Sequence, residues 1–209
     1  MPGDASSTYL IRHGRTEYSS RYLVNGLPER GVLLDADGVA ATADLAVTAP
    51  WLSTVRSARV SGFPRTRQTA ELLLAPGVPI DADTRLDEIH YGRFEGGPWL
   101  DYGDWLSGAG ATAVPPGGVE SWCAAVTRML SGLIDCLQLP GPRLVVAHGL
   151  LCSVVMRLLE RTELDGPFLP EAACLAPVAL TDDQVRELAG RGREQLSALT
   201  RRGATAVTR

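Results

Sequence analysis

Two apolar runs that each end in a His-Gly pair constrain the fold of this chain more than any other feature. The first is TYLIRHGRT, from Thr8 to Thr16, and the second is LVVAHGLL, from Leu144 to Leu151. Each run begins like a buried strand and then turns abruptly into polar residues or into helix-compatible residues. Because the chain has only 3 histidines among 209 residues, composition alone does not account for two such pairs.

The rest of the sequence alternates between helix and strand patterns. Helices are predicted over Asp37 to Trp51, from Pro64 through PRTRQTAELLL, over Val119 to Leu137, over Leu150 to Glu160, and over Asp182 to Leu199 after a Thr181 cap. Further strands are predicted at residues 58–62, near Val78 to Asp81, and in ACLAPVAL, where Pro177 indicates a sheet edge. The segment from Tyr18 to Leu34 reads as a loop.

This alternation predicts an α/β fold, a three-layer α/β/α sandwich with a mainly parallel central sheet. The length suits a single domain over residues 1–209. Residues 92–118 are rich in Gly, Pro and Trp and read as an irregular, lid-like excursion, a kind of segment that is often functional. Because ligands in such folds bind beyond the carboxyl ends of the strands, both His-Gly pairs lie where chemistry is expected.

Composition narrows the class of partner and the compartment. The net charge of −4 argues against nucleic acid, whose phosphates require a basic face. No segment resembles a membrane span or a secretory signal, so a cytoplasmic protein is expected. The cysteines show neither metal-ligand spacing nor a disulfide pattern, and no metal and no cofactor are expected. A homodimer is left open.

All 20 basic residues are arginine, so any phosphate contact with a positively charged side chain must come from a guanidinium. Arg12 and His13 would meet His148 if their strands are neighbours, and such a group of bases is costly unless an anion neutralises it. A phosphoryl group is the obvious anion. Arg65 is favoured over Arg67 as a further contributor, because it lies at a predicted helix N-terminus with free amides and partial positive charge.

Five motifs then carry a specific resemblance. They are RHGRT at 12–16, RTRQTAELL at 65–73, LDEIHYGRFEG at 86–96, GGVES at 117–121 and VVAHG at 145–149. In this order they resemble the motifs of the histidine phosphatase superfamily, in its phosphoglycerate mutase-like branch. The motifs extend from residue 8 to about residue 160, and their joint occurrence is far more specific than a lone RHG.

The resemblance implies a role for each matched residue. His13 would be the nucleophile that becomes phosphorylated, and Arg12, Arg65 and His148 would hold the phosphoryl oxygens. Glu88 would donate a proton to the leaving oxygen and later accept one from the attacking water. The physics agrees, because phosphoryl transfer asks mainly for positioning and positive charge, and a guanidinium keeps a nearby imidazole neutral.

The sequence departs from the family pattern at one position. Ser19 stands where the family often has Asn, and a serine hydroxyl can still donate a hydrogen bond to phosphate but reaches less far. Asn25 would substitute for it if the intervening loop bends back.

The resemblance implies a phosphomonoester hydrolase acting on a small phosphorylated metabolite. The segment between Ile89 and Gly118 is shorter than in the mutases of this family, which favours hydrolysis by water. Three alternatives stay open: a phosphosugar mutase of phosphoglycerate mutase type, a protein phosphatase, and a non-catalytic phosphate-binding protein. The aromatic residues of the lid, Trp99, Tyr102 and Trp105, either contact a ring of the substrate or merely pin the excursion to the body.

Overall fold

The computed structural model describes residues 7–164 and 168–207, with side chains described as far as residue 202. Five strands form one sheet in the order β3-β2-β4-β1-β5. The strands are β1 (Ser7–Arg12), β2 (Ser57–Val60), β3 (Ile80–Ala82), β4 (Arg143–Ala147) and β5 (Val178–Thr181). All pairs are parallel except β1 with β5. The mainly parallel sheet is confirmed, and β5 lies at an edge.

Seven α-helices connect and cover the strands within the described ranges. They are α1 (Glu17–Ser20), α2 (Ala36–Thr48), α3 (Pro64–Leu73), α4 (Trp99–Ala109), α5 (Trp122–Asp135), α6 (Gly149–Leu159) and α7 (Asp182–Val207). Pro64 at the first position of α3 suits a helix start, because the missing N–H would have no partner there. None of the described helices is long and apolar enough to cross a lipid bilayer.

The hydrophobic core lies on both faces of the sheet because successive strand residues point to opposite sides. Tyr9 and Ile11 of β1 pack with residues of α2 and α3 on one face. Leu10, between them, packs with α5, α6 and α7 on the other. Helices therefore cover both faces, and the α/β fold predicted from the sequence is confirmed.

The lid segment differs from the prediction, because residues 92–118 contain the regular helix α4 rather than an irregular excursion alone. Gly103, which weakens a helix pattern in the sequence, is required by packing. A Cβ added at Gly103 would lie 3.1 Å from the Trp99 ring, so the glycine lets the indole of Trp99 lie across the next turn. Two smaller differences are α1 inside the predicted loop and the extension of α7 beyond Leu199 to Val207.

The sheet fixes the positions of the two His-Gly pairs. Arg12 pairs with Ala147 in the parallel ladder between β1 and β4, and the His13 amide donates to the Ala147 carbonyl at 3.0 Å. His13 and His148 therefore leave adjacent central strands at the same edge. β2 is the other neighbour of β4, so α3, which follows β2, begins beside the same edge.

Candidate active site

The ends of β1, β4 and β2 bring His13, His148 and Arg65 together. The two imidazole rings lie 5.3 Å apart between centroids, in an edge-on arrangement. Arg65 comes from the first turn of α3 and is only 4% exposed. The predicted convergence of two histidines and an arginine is therefore present.

The Arg65 guanidinium connects both histidines. Its Nε donates to His13 Nε2 at 3.0 Å and its Nη2 donates to His148 Nδ1 at 3.1 Å. Further bonds run to the Asn25 side-chain oxygen at 2.5 Å and the Asn25 carbonyl at 3.0 Å. Every one of these acceptors is uncharged, and burial lowers the Arg65 pKa to about 10. A buried positive charge with only neutral partners is costly, and an anion would relieve that cost.

His13 is held with its Nε2 unprotonated. Its Nδ1 lies 2.7 Å from the Gly14 carbonyl, which can only accept a hydrogen bond, so Nδ1 carries the proton and Nε2 the lone pair. Burial, followed by the charge of Arg65, places the His13 pKa well below its ordinary value. The ring is therefore neutral at neutral pH, as a nucleophile must be.

His148 has the opposite tautomer. Because its Nδ1 accepts from Arg65, its Nε2 carries the proton, which it donates to the Ser61 hydroxyl at 2.8 Å. The Ser61 and Thr66 hydroxyls lie 3.0 Å apart, and Thr66 donates onward to the Phe63 carbonyl at 2.8 Å. The ring is fully buried, and burial, followed by Arg65, holds its pKa well below its ordinary value.

Arg12 carries a partner that sequence reasoning missed. Its Nη1 donates to the Glu171 carboxylate at 2.6 Å and to the Ala172 carbonyl at 2.7 Å. Its buried Nε has no hydrogen-bond partner among the described residues. Gly149 leaves room beside this group, since a Cβ there would lie 3.5 Å from Arg12 Cζ.

A cavity of about 390 Å³ opens beside these groups. Arg12, His13, Arg65 and Glu88 are among the residues that line it. The Glu88 carboxylate accepts a hydrogen bond from the Ile89 amide at 3.0 Å. Burial raises the pKa of Glu88, although Arg65 and Arg12 act in the opposite direction. A half-buried carboxyl group with a raised pKa, in the same cavity as a neutral imidazole, is suited to both donating and accepting a proton.

The two predicted outer phosphate contacts also line the cavity, but both are engaged elsewhere. The Ser19 hydroxyl accepts from the Thr16 amide at 2.9 Å and lies 3.0 Å from the Thr16 carbonyl, as part of the cap that begins α1. Asn25 accepts from Arg65, and its side-chain nitrogen donates to the Leu27 carbonyl at 3.3 Å. In this structure Asn25 therefore orients Arg65.

The lid aromatics separate into two groups. Trp99 and Tyr102 line the cavity. Trp105 is absent from the lining, and its ring packs against Phe94 and Tyr102 with centroids 5.7 and 5.8 Å apart. The structure therefore places Trp105 as a support for the cavity wall, in contact with the rings of Phe94 and Tyr102.

Backbone hydrogen bonds join the lid to the segment after α1. The Val24 amide donates to Gly97, the Gly96 amide donates to Val24, and the Trp99 amide donates to Tyr22, at 2.8 to 3.0 Å. Tyr22 and Trp99 both line the cavity and are both exposed. The cavity wall thus consists of two segments that are distant in sequence and joined like a short pair of strands.

Sequence reasoning missed Ser61 and Glu171, and in principle one of them could have been found. Ser61 directly follows β2 at the same sheet edge as the two histidines, so its position alone marks it as a candidate. Glu171 lies in a segment without regular structure and reaches Arg12 across 159 positions. No local pattern indicates that contact.

Comparisons with known proteins agree with this geometry. The family model described as histidine phosphatase superfamily (branch 1) matches residues 8–189. A relative named "Probable phosphoglycerate mutase GpmB", from Serratia proteamaculans, is 28% identical over 167 residues, covering 72% of this chain and 74% of the relative.

Two solved structures show the same fold. YhfR of Bacillus stearothermophilus superposes with a TM-score of 0.68 at 24% identity, covering 83% of this chain and 89% of that one. The α-ribazole phosphatase of Shigella flexneri superposes with a TM-score of 0.62 at 25% identity, covering 75% of this chain and 80% of that one.

Proposed function

Because the chain belongs to branch 1 of the histidine phosphatase superfamily, we propose that it hydrolyses phosphomonoesters through a phosphohistidine formed on His13. The observation that carries the proposal is the Arg65 guanidinium. It is buried, all its hydrogen bonds go to neutral acceptors, and one of them goes to the lone pair of the His13 ring. This arrangement suits a phosphoryl dianion placed beside a nucleophile.

Binding of the substrate would exchange hydrogen-bond partners. A phosphoryl oxygen would accept the Arg65 N–H that now points at His13 Nε2, which frees the lone pair for attack. Another oxygen would accept from Arg12, whose buried Nε has no partner among the described residues. The two guanidiniums supply the positive charge that the transition state requires, so the proposed reaction needs no metal ion.

In the first step, the lone pair of His13 Nε2 forms a bond to phosphorus while the bond from phosphorus to the leaving oxygen breaks. Glu88, in its protonated form, gives its proton to that oxygen, and the alcohol departs. The Gly14 carbonyl continues to accept the Nδ1 proton and stabilises the ring as its charge increases. The raised pKa of Glu88, due to burial, favours the protonated form that this step needs.

In the second step, water attacks the phosphorus and the bond to His13 Nε2 breaks. Glu88, now ionised, accepts the proton of the water, and inorganic phosphate is released with the enzyme restored. Hydrolysis is favoured over transfer because Tyr22 and Trp99, both exposed, line the cavity and leave a route for water. Both reactions occur in the names of the similar proteins: one is called an α-ribazole phosphatase, which implies hydrolysis, and the other a probable phosphoglycerate mutase, which implies transfer.

The test is turnover of p-nitrophenyl phosphate by the wild type and His13→Ala, with a chelator present. We expect activity in the wild type only, together with an acid-labile phosphoryl adduct on His13 after rapid quenching. No activity in the wild type would support a phosphate-binding protein instead. Activity lost on chelation would contradict the metal-free reaction, and phosphoryl transfer to an added alcohol acceptor in preference to water would favour the mutase.

A further inference from the structure

The charges that line the cavity limit the kind of leaving group it can hold. Among the described residues, the lining includes two cationic side chains, Arg12 and Arg65, and two carboxylates, Glu88 and Glu171. Both arginines are adjacent to His13 and are needed for the phosphoryl group. A second anionic group on the substrate would therefore meet carboxylates and no cation, and an uncompensated charge in a cavity is costly.

Most of the remaining cavity wall is apolar or aromatic, and its polar residues include Ser19 and Asn25, whose side chains are already hydrogen-bonded within the protein. Leu23, Trp99, Leu106, Trp122 and Leu169 all line it. A volume of about 390 Å³ is at the small end of ligand sites and accommodates a ring in addition to a phosphoryl group. Flat side chains such as Trp99 bind rings through their faces, whereas a short polar chain would gain little from this wall.

One polar group of the wall differs from the others because it has no partner among the described residues. Tyr102 lines the cavity and is only 3% exposed, and its buried hydroxyl has no hydrogen-bond partner among the described residues. Its ring is fixed by edge-on contacts with Tyr91 at 4.8 Å and Phe94 at 5.8 Å. A buried hydroxyl held in one place without a partner is a specific point of recognition for a hydrogen-bonding group on the substrate.

On the basis of the proposed function, we propose that the substrates are phosphomonoesters of uncharged, ring-bearing alcohols that carry one further hydrogen-bonding group within reach of the Tyr102 hydroxyl. The same cavity discriminates against esters that carry a second anionic group, phosphoglycerates included. The chemical class follows from the lining: two arginines for the phosphoryl group, an aromatic wall for the ring, and one hydroxyl for its substituent.

The test compares esters whose leaving alcohols have similar intrinsic reactivity: benzyl phosphate, the ortho, meta and para (hydroxymethyl)benzyl phosphates, 3-carboxybenzyl phosphate and ethyl phosphate. For the wild type, we expect kcat/KM to be roughly tenfold or more higher for benzyl than for ethyl or 3-carboxybenzyl phosphate. At least one (hydroxymethyl)benzyl isomer is expected to have a higher kcat/KM than benzyl phosphate. A carboxybenzyl or ethyl ester turned over as well as the benzyl ester would overturn the proposed class.

Tyr102→Phe isolates the hydroxyl, and Tyr9→Phe is the matched control because Tyr9 stacks on Trp51 at 4.2 Å on the other face of the sheet. Tyr102→Phe is expected to lower kcat/KM for the best (hydroxymethyl)benzyl ester roughly three- to tenfold, and to lower kcat/KM for benzyl phosphate by a clearly smaller factor. Equal effects on both esters would exclude the recognition role, and circular dichroism establishes that both variants are folded.

The panel also separates this inference from the proposed function. If phosphate release from p-nitrophenyl phosphate depends on His13 but the esters show no such selectivity, the proposed hydrolysis stands and the proposed substrate class is wrong. No phosphate release from any ester would remove both.

Discussion

The two His-Gly turns carry the same dipeptide at the ends of adjacent parallel strands, yet their imidazoles are held in opposite tautomers. His13 donates from Nδ1 to the Gly14 carbonyl next to it, whereas His148 donates from Nε2 to Ser61, which lies 87 positions away in the sequence. Arg65 donates to the remaining nitrogen of each ring. The role of each histidine therefore depends on the partner of its second nitrogen, which the dipeptide does not reveal.

The largest expected effect separates the two histidines directly. His13→Ala removes the atom that bonds to phosphorus and should lower kcat for p-nitrophenyl phosphate by roughly a thousandfold or more. His148→Ala should lower kcat but still form the phosphoryl adduct on His13, measured by mass spectrometry of rapidly quenched mixtures. An adduct on His148 in the wild type or in His13→Ala would reverse the comparison.

Glu88→Gln tests proton donation separately from attack by His13. Because general acid catalysis contributes roughly 10²- to 10⁴-fold, the variant should lose about this factor on benzyl phosphate and much less on p-nitrophenyl phosphate. The p-nitrophenolate ion leaves without a proton, which accounts for the difference. In the wild type, kcat/KM for benzyl phosphate should fall as pH rises through the raised pKa of Glu88.

The control for that pH profile is the variant itself. The decrease on the alkaline side should be absent in Glu88→Gln, which has no titrating group at this position. Equal losses on both esters would mean that Glu88 does not protonate the leaving group.

Ser61→Ala should change the hydrogen bonding of His148 and leave that of His13 as it is. Removing the acceptor leaves the buried Nε2 proton of His148 without a partner, while Arg65 still donates to Nδ1 and keeps the tautomer. We expect roughly a tenfold lower kcat, since an unsatisfied buried donor costs about 1–3 kcal/mol, with nitrogen chemical shifts reporting the tautomers of both rings. Ser57→Ala is the matched control, because Ser57 is also buried and donates to the Pro140 carbonyl from the opposite end of β2.

A structural role alone would lower the stability of Ser61→Ala and Ser57→Ala alike, without a change in kcat. The tautomer assignment would be wrong if the nitrogen shifts of wild-type His148 showed the proton on Nδ1.

Both turns should make stability depend on pH. The folded-state pKa values of His13 and His148 are lowered, so below an ordinary pKa of about 6.5 the unfolded chain binds protons that the folded chain does not. Stability from these rings is fully present above that pH and is lost as pH falls towards the lowered folded values. The free energy of unfolding in urea should therefore decrease from about pH 7 to about pH 5.

His148→Gln should flatten this dependence, and His90→Gln, outside both turns, is the control. If the free energy of unfolding of His148→Gln depended on pH as steeply as that of the wild type, the His148 ring would not contribute to the pH dependence of stability.

The smallest expected effect concerns Arg12, which precedes His13 in the first His-Gly turn. In this structure the Glu171 carboxylate forms an ion pair with Nη1 of Arg12 at 2.6 Å. The ion pair is weak because the Glu171 side chain is 58% exposed. Glu171→Gln should therefore tighten competitive inhibition by inorganic phosphate roughly two- to fivefold, with little change in kcat. A weaker inhibition by phosphate would show that the carboxylate assists binding rather than competing with it.

The sequence predicted those parts of the site that depend on local pattern. The strand that ends at His13, the strand that ends at His148 and the helix that begins beside Arg65 each have short-range signals, and the structure brings these residues together. The contact of Glu171 with Arg12 crosses most of the chain and has no such signal. Trp99 and Trp105 differ only in which side of α4 they occupy, which the sequence of a Gly-rich helix does not define.

The ladder between β1 and β4 has a consequence for how the protein would lose its properties under denaturant. The two imidazoles follow strands whose ladder of backbone hydrogen bonds lies at the centre of the sheet, whereas Tyr22 and Trp99, the exposed aromatic residues of the cavity wall, are joined to each other by one backbone hydrogen bond. Displacing the two imidazoles requires cooperative melting of the sheet. Local fraying is enough to disturb the exposed part of the cavity wall. Selectivity among esters should thus decay at lower urea concentrations than the cleavage of a small activated ester.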